Sequence, residues 1–223
     1  MNILALDAST EHCSAVLWRD GAVFERSARA GQAHSEMLIA MADAVMAEAG
    51  TALPGVSGIA FGAGPGSFTG LRVACAVAQG LAFPGDIPLT GIGTLQALAA
   101  GSGADAAVCC LDARMGEVYH AAYRRNGDAW TEVSAPRVCA PAAVPELPPG
   151  RWTACGSGFA VYGDLLRQRY GAQLDAVRDG LVPQARDIAR LAAPVFAAGG
   201  GIRADDAAPL YIRDRVALKT SER

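Results

Sequence analysis

The sequence predicts a mixed α/β protein in which one folding unit occurs twice. Each half opens with an apolar strand that ends at an aspartate, Asp7 in the first half and Asp112 in the second. A strand pair with a hairpin signal follows in each half, Asp20-Gly21 in the first and Asn126-Gly127 in the second. We therefore expect two duplicated β-β-β-α-β-α units.

The first unit is assigned to residues 1–103 and the second to residues 104–223, because a Gly-Ser-Gly turn separates them. In the first unit, apolar periodicity predicts a helix over Ser35–Ala49, which Gly50 ends, and another over Thr69–Phe83. The runs GIAFG and IPLTGIG are typical of short buried strands, and LQALAAG of a third helix.

The second unit begins with three predicted strands and continues into the proline-rich segment PAAVPELPPG, which cannot be helical. The segments GSGFAVYGDLLRQRY and PQARDIARLAAPVFAAGG predict two helices, with Pro183 suited to the first turn of the latter. The chain ends in a basic tail that contains Arg213, Arg215, Lys219 and Arg223. We expect this tail to be a solvated terminus.

Bulk composition limits the classes of function open to this chain. Of its 223 residues, 52% are hydrophobic and 18% are charged, which suffices for a substantial core. The net charge of −3 argues against a broad basic surface that holds nucleic acid directly. The six cysteines form no CxxC pair, and the longest apolar stretch, residues 73–83, is too short to span a bilayer. We expect a cytoplasmic protein with free thiols and no membrane contact.

A glycine-rich turn between a predicted strand and helix is the main candidate binding element. Its residues are Gly64, Pro65, Gly66, Ser67 and Thr69. No lysine follows its last glycine, which excludes a Walker A phosphate loop, and the neighbours of the serine exclude a hydrolase elbow. Such a turn either offers backbone amides to an anion or a neighbouring protein, or is a tight turn that feeds a buried helix.

The first two helices are the main candidates for a partner surface. The first has one apolar stripe for its own sheet, yet Met37, Ile39, Ala40, Ala44 and Met46 extend the apolar surface beyond it. The second helix is nearly all apolar, and its alanines with Gly80 permit close approach of another helix. A four-helix interface between two chains is favoured over burial within one chain. The predicted interface residues are His34, Met37, Leu38, Met41, Val45, Leu71, Arg72, Cys75 and Ala78.

The duplicated unit resembles the ASKHA superfold of actin, Hsp70 and the sugar kinases, whose two subdomains are ribonuclease H-like. In that superfold, the turns after the first strand of each half hold nucleotide phosphates between the lobes. The resemblance implies that Asp7, Ser9 and Thr10 form one such turn, and Asp112 with Arg114 the other. We interpret both as vestigial phosphate turns.

Six segments together resemble the TsaB (YeaZ) family. They are ILALDAST at 3–10, HSEML at 34–38, GPGSFTGLR at 64–72, GLAFPGDIPLTGIGTLQALA at 80–99, LDARMGEVY at 111–119 and PLYIR at 209–213. The resemblance implies a non-catalytic partner of the enzyme TsaD, with the ATPase TsaE as third member, in making threonylcarbamoyladenosine next to the anticodon of tRNAs that read ANN codons. It also implies a homodimer when TsaD is absent.

The same resemblance implies that the chain holds no metal or cofactor of its own. The two histidines that carry the metal in TsaD align with Thr94 and Leu98, and neither side chain can replace an imidazole. The three histidines of the chain lie in separate segments, which also argues against a metal site. A nucleotide at the partner interface remains open, and tRNA contact is expected to be indirect.

Two other functions are weaker alternatives. The aspartate turns and the GSGF turn at 156–159 would suit a nucleotide-dependent kinase, but no further acidic constellation for phosphoryl transfer is evident. A metallopeptidase is least favoured, because the sequence has no HExxH motif.

Overall fold

A computed structural model describes residues 1–30 and 34–213 of the chain, and it contains two five-stranded sheets. The first sheet consists of β1 (Asn2–Asp7), β2 (His12–Arg19), β3 (Ala22–Arg29), β4 (Gly58–Gly64) and β5 (Leu89–Gly93). The second consists of β6 (Ala106–Arg114), β7 (Glu117–Asn126), β8 (Ala129–Cys139), β9 (Trp152–Cys155) and β10 (Leu174–Arg178). The strand orders, β3-β2-β1-β4-β5 and β10-β9-β6-β7-β8, correspond, which confirms two related α/β units.

Each sheet combines an antiparallel meander with two parallel strands. The strands β1, β2 and β3 pair antiparallel, and β4 and β5 add to β1 in parallel. The same holds for β6, β7 and β8 with β9 and β10. The hairpin signal at Asp20-Gly21 is confirmed, since both residues have positive φ, as a two-residue β-hairpin loop requires.

The described part of the chain has five α-helices, which cover the sheets in layers. They are α1 (His34–Glu48), α2 (Phe68–Ala82), α3 (Thr94–Gly101), α4 (Ser157–Tyr170) and α5 (Ala185–Ala197). The helices α1 and α2 lie side by side on one face of the first sheet, and α5 covers the other face. The helix α4 packs on one face of the second sheet, and α3 lies between the two sheets.

The second unit departs from the predicted duplication, because none of the helices in its described part corresponds to α1. The proline-rich segment takes its place and forms only a short 3-10 turn at Pro141–Ala143 before β9. Prolines lack the amide hydrogen that helix propagation needs. Within residues 1–30 and 34–213, a pair of adjacent outer helices like α1 and α2 therefore exists only on the first sheet.

The helix α5 crosses back from the second unit to the first sheet. Its residues Ile188, Ala192 and Phe196 pack in one cluster with Ile3 and Ala60 of the first sheet. A boundary after residue 103 thus assigns each sheet to one unit. The helix α5 lies beyond that boundary in the sequence but packs on the first sheet. Helix α5 begins at Ala185, so the expectation that Pro183 lies in its first turn is wrong.

The sequence expectation of a solvated basic tail is wrong at Arg213. The Arg213 side chain is only 14% exposed and is bonded to the second unit. Arg215, Lys219 and Arg223 lie outside the described residues. None of the helices in residues 1–30 and 34–213 is long and apolar enough to cross a membrane.

Candidate functional site

The glycine-rich turn packs against the turn that follows β1. Ser67 is the N-cap of α2, and its hydroxyl accepts a hydrogen bond from the Gly70 amide at 3.4 Å. The Ser67 amide donates to the Ser9 carbonyl at 2.7 Å. A Cβ atom at Gly66 would clash with the Ser9 carbonyl, and one at Gly70 with that of Ala8. These two glycines therefore permit close approach between two segments of the same chain.

Gly64 and Pro65 are also enclosed by the chain itself, whereas Ser67 and Thr69 are exposed. A Cβ atom at Gly64 would lie 2.6 Å from the Leu210 carbonyl oxygen, and the Pro65 carbonyl accepts a hydrogen bond from the Thr94 hydroxyl. Of the two interpretations left open by the sequence, the structure favours a tight turn that feeds a buried helix.

The first phosphate-type turn is closed to solvent. Asp7 is fully buried, and its Oδ2 accepts hydrogen bonds from the Ser9 amide at 3.3 Å and the Ser9 hydroxyl at 3.0 Å. Its Oδ1 has no hydrogen-bond partner and lies where a Cβ at position 62 would be, close to Ile188 of α5. Burial raises the pKa of Asp7 to about 7, although the Ser9 bonds oppose the shift. The Thr10 hydroxyl accepts from the His12 amide at 3.2 Å.

The second phosphate-type turn is engaged by its own neighbours. The Asp112 carboxylate accepts from the Arg114 amide at 2.9 Å and the Arg114 guanidinium at 3.0 Å, and the Tyr162 hydroxyl lies 3.4 Å away. The Asp112 amide donates to the Ser157 hydroxyl. A phosphate group would have to displace these donors from Asp112. The interpretation of both turns as vestigial phosphate turns stays a prediction.

Thr94 and Leu98, the positions at which the resemblance implies metal-binding histidines in TsaD, are part of the protein interior. Thr94 is fully buried and donates to Pro65, and Leu98 is fully buried in the core between α3 and the second sheet. These residues do not fit a divalent metal, because neither offers an imidazole or carboxylate. Among the residues that the structure describes, no group of three or more His, Cys, Asp or Glu side chains is placed to hold one.

Helix α1 divides the predicted interface residues into inner and outer ones. Leu38 and Val45 are fully buried in the core under α1, so the prediction that they contact a partner is wrong. Met46, expected on the outer surface, is only 6% exposed. Met37 and Met41 are half-buried at the edge of this core. The apolar pattern runs around most of the helix, so only packing reveals which side is covered.

Helix α2 shows the same division. Leu71, Cys75 and Ala78 are 2%, 4% and 0% exposed, so their assignment to a partner interface is also wrong. Arg72 is exposed, and its guanidinium lies 3.9 Å from the centre of the Phe68 ring. His34, the first residue of α1, is half-buried, and its contact role stays a prediction.

The solvent side of α1 and α2 nevertheless combines apolar and small residues with a few charges, Glu36, Asp43 and Glu48 of α1 among them. This surface, the helical face, comprises Met37, Ile39, Ala40, Met41 and Ala44 of α1 with Phe68, Arg72, Val73, Ala76 and Gly80 of α2, all exposed or half-buried. Ile39 and Phe68 are 46% and 41% exposed. Phe68 lies outside the predicted helix. Its position four residues before Arg72 is the sequence signal for their contact, because residues four apart are neighbours on a helix surface.

Comparison with known proteins places the chain in a family. The family model described as "TsaD: tRNA N6-adenosine threonylcarbamoyltransferase" matches residues 27–193. The "tRNA threonylcarbamoyladenosine biosynthesis protein TsaB" of Escherichia coli (strain K12) is 37% identical, with 98% of this chain and 97% of the relative covered. The protein of the same name from Haemophilus influenzae is 33% identical, with 98% and 96% covered.

Solved structures agree with these relatives. "YeaZ from Pseudomonas aeruginosa" superimposes with a TM-score of 0.85 at 34% identity, with 94% of this chain and 99% of that chain covered. A second Pseudomonas aeruginosa structure, titled as a protein with similarity to peptidase YEAZ, has a TM-score of 0.88 at 34% identity, with 95% and 99% covered. The duplicated sheets and the full-length similarity lead to one conclusion: the chain belongs to the TsaB (YeaZ) family.

Proposed function

We propose that this chain is the non-catalytic subunit of a tRNA N6-adenosine threonylcarbamoyltransferase complex, in which it binds, stabilises and activates TsaD. The observation that carries the proposal is the helical face, an exposed apolar surface on two adjacent helices. Large exposed apolar patches on globular proteins mark interaction sites. The family membership supports the choice of TsaD as the occupant.

The asymmetry between the two units supports the same surface. The second unit has a proline-rich segment where the first has α1, so its sheet carries no matching pair of outer helices. A partner that recognises two adjacent helices therefore has one place to dock among the described residues. A second copy of this chain can use the same face when TsaD is absent, which gives the proposed homodimer.

The chemistry of the complex lies on TsaD in this proposal. The turn at Asp7 is enclosed, and the Arg114 amide and guanidinium at the second turn are already bonded to Asp112, so neither turn is prepared to bind a phosphate in this conformation. The chain then needs no cofactor of its own, and a nucleotide in the complex lies at the partner interface. TsaE joins as the third subunit. Contact with tRNA is made through TsaD, because the net charge of this chain is −3.

Reconstitution tests the proposed function directly. This chain, its cognate TsaD and TsaE would be purified separately and assayed for tRNA threonylcarbamoylation with threonylcarbamoyl-adenylate supplied. We expect modification only when TsaD and this chain are both present, because one supplies the reaction centre and the other stabilises it. Modification by this chain alone, or full activity of TsaD without it, would overturn the proposal.

Gly80 on the helical face gives a second test. It lies inside α2, is exposed, and a Cβ atom there would meet no atom within 4 Å. Nothing within the described chain requires glycine, although glycine costs about 1 kcal/mol relative to alanine inside a helix. Close approach of a partner helix would explain the glycine at this position.

Gly80→Ala should therefore stabilise the isolated chain by about 0.5–1 kcal/mol in denaturant unfolding. Gly80→Leu should weaken TsaD binding about tenfold or more in calorimetry.

Gly163 provides the matched control. It lies in α4 on the second unit, where an added Cβ would meet only the flexible Arg167 side chain. Gly163→Ala should leave TsaD binding unchanged. If Gly80→Leu binds TsaD as tightly as the unmodified chain does, no partner helix approaches α2 closely. The helical face is then not the interface.

A further inference from the structure

The segment at residues 207–213, here called the C-terminal strap, runs from the first unit to the second. On the first unit, the Leu210 amide donates to the Ala63 carbonyl at the end of β4 at 2.7 Å. The Leu210 carbonyl covers Gly64, and the Gln79 side chain of α2 donates to the Ala207 carbonyl at 3.2 Å. The strap is therefore held by main-chain and side-chain bonds along β4 and α2.

The end of the strap is anchored on the second unit by Arg213. Its guanidinium donates to the Ala113 carbonyl at 3.0 Å and pairs with the Glu117 carboxylate at 2.7 Å. A third contact reaches the Met115 sulfur at 3.1 Å. Ala113, Met115 and Glu117 surround the turn between β6 and β7, and the Arg213 side chain is only 14% exposed. Charge-assisted bonds to a partly buried guanidinium are stronger than ordinary surface contacts.

Tyr211, midway along the strap, connects it to the outer surface of α2. The Tyr211 hydroxyl accepts a hydrogen bond from Arg72 Nε at 2.9 Å. The Tyr211 ring lies 5.5 Å from the Phe68 ring, centre to centre, and is itself 47% exposed. The C-terminal strap thus links β4, α2 and the β6–β7 turn within a few residues.

We propose that the C-terminal strap is an interlobe clamp, in which Arg213 on the β6–β7 turn fixes the orientation of the second unit relative to the first. Elsewhere the units meet mainly through α3 and α5, whose contacts are largely apolar and therefore non-directional. The directional exceptions lie on α5, where the Ala185 amide donates to the Ser14 hydroxyl at 2.9 Å and Arg186 lies 3.6 Å from Glu25. The bonds that Arg213 makes at the β6–β7 turn are directional, so they fix the angle between the two units more closely than apolar packing does. The clamp does not depend on the proposed function, because all its contacts lie within one chain.

The test measures the distance between the units in the isolated chain. Nitroxide labels would be placed at Ala47→Cys on α1 and Gln168→Cys on α4, both exposed positions, with the half-buried Cys139 changed to serine. Labelled protein would be diluted into excess unlabelled protein, so that only distances within one chain are measured by electron–electron double resonance. We expect one narrow distribution for the clamped protein.

Removal of the anchor should release the clamp. Arg213→Ala should broaden the distribution and add distances absent from the unmodified chain, and hydrogen exchange at the Leu210 amide should speed up by about tenfold or more. Glu117→Gln removes the ion pair but keeps the side-chain shape, and it should broaden the distribution less. Arg203→Ala, at an arginine that is 72% exposed outside the strap, should change neither measurement.

The outcomes separate a clamp from a passive surface segment. If Arg213→Ala and Glu117→Gln both retain the narrow distribution, the strap does not set the angle between the units and the proposal is wrong. If Arg213→Ala does not fold, Glu117→Gln decides, because that carboxylate is 38% exposed and its amide replacement conserves volume. If Arg213→Ala loses TsaD activation but retains the narrow distance distribution, the clamp is wrong and the proposed function stands.

Discussion

Replacing Ile39 with glutamate should weaken binding of this chain to TsaD by roughly thirtyfold or more, which corresponds to about 2 kcal/mol. Ile39 is 46% exposed on the helical face, so glutamate can be solvated in the isolated chain. In the complex, the carboxylate would be taken out of water next to apolar side chains, and that desolvation is costly. Calorimetric titration of TsaD with the variant measures the effect, while circular dichroism should report an unchanged fold.

Two variants make this result interpretable. Val161→Glu is the matched control, because Val161 is also an exposed apolar residue on a helix, 55% accessible, but lies on α4 of the second unit. It should bind TsaD normally. Leu38→Ala, at the residue next to Ile39, should instead lower the free energy of unfolding by about 2–5 kcal/mol, because Leu38 is fully buried. Normal binding by Ile39→Glu together with weakened binding by Val161→Glu would move the interface to the second unit.

Asp7→Asn should remove a pH-dependent destabilisation of up to about 4 kcal/mol, at about 1.4 kcal/mol per pKa unit. Burial raises the pKa of Asp7 from 3.8 to about 7. Between these values the unfolded chain has lost the proton and the folded chain keeps it, so the folded state binds more protons. The free energy of unfolding contributed by Asp7 is therefore greatest below pH 4, falls as the pH rises, and is lowest above pH 7. Asparagine carries no charge and lacks this dependence.

The measurement is the difference in free energy of unfolding between Asp7→Asn and the unmodified chain, followed from pH 4 to pH 8 at one protein concentration. Burial lowers the pKa of His120 to about 4, with a smaller effect of Arg137, so His120 gives stability that rises with pH. Burial also raises the pKa of Asp187. Both groups are present in both proteins, so their contributions cancel in the difference.

An exposed carboxylate provides the control for Asp7. Asp164→Asn on α4 should change the free energy of unfolding by less than about 0.5 kcal/mol across the same range. A difference for Asp7→Asn that does not vary with pH would mean that Asp7 is ionised in the fold, and that solvent or a cation reaches its Oδ1 atom.

Local signals in the sequence were sufficient for the fold class. The Asp20-Gly21 dipeptide adopts the positive φ angles of a two-residue hairpin loop, a conformation that depends on those residues alone. Ser67 caps α2 because its hydroxyl is close in sequence to the amides it serves. The strands β9 and β10 were not evident, since they are short and one of them, β10, is not strongly apolar. Whether a short segment forms a strand depends mainly on the neighbouring strands with which it pairs.

The candidate site could be located only in part, because the sequence of α1 and α2 is apolar on nearly every side. Periodicity identifies an apolar face when the opposite face is polar, and that contrast is missing here. Leu38 and Ile39 illustrate the limit, since both are apolar neighbours on one helix, yet one is fully buried and the other 46% exposed. Only the placement of the helix on its sheet distinguishes them.

By itself, the sequence determined the duplicated α/β architecture, the family and the two helices that carry the proposed interface, because these depend on motifs and patterns within short segments. Tertiary structure alone decided which side of each helix faces solvent, that the Asp7 turn is closed, that α5 returns to the first sheet, and that Arg213 anchors the strap. Each of these depends on contacts between residues far apart in the chain, and no local pattern records such contacts.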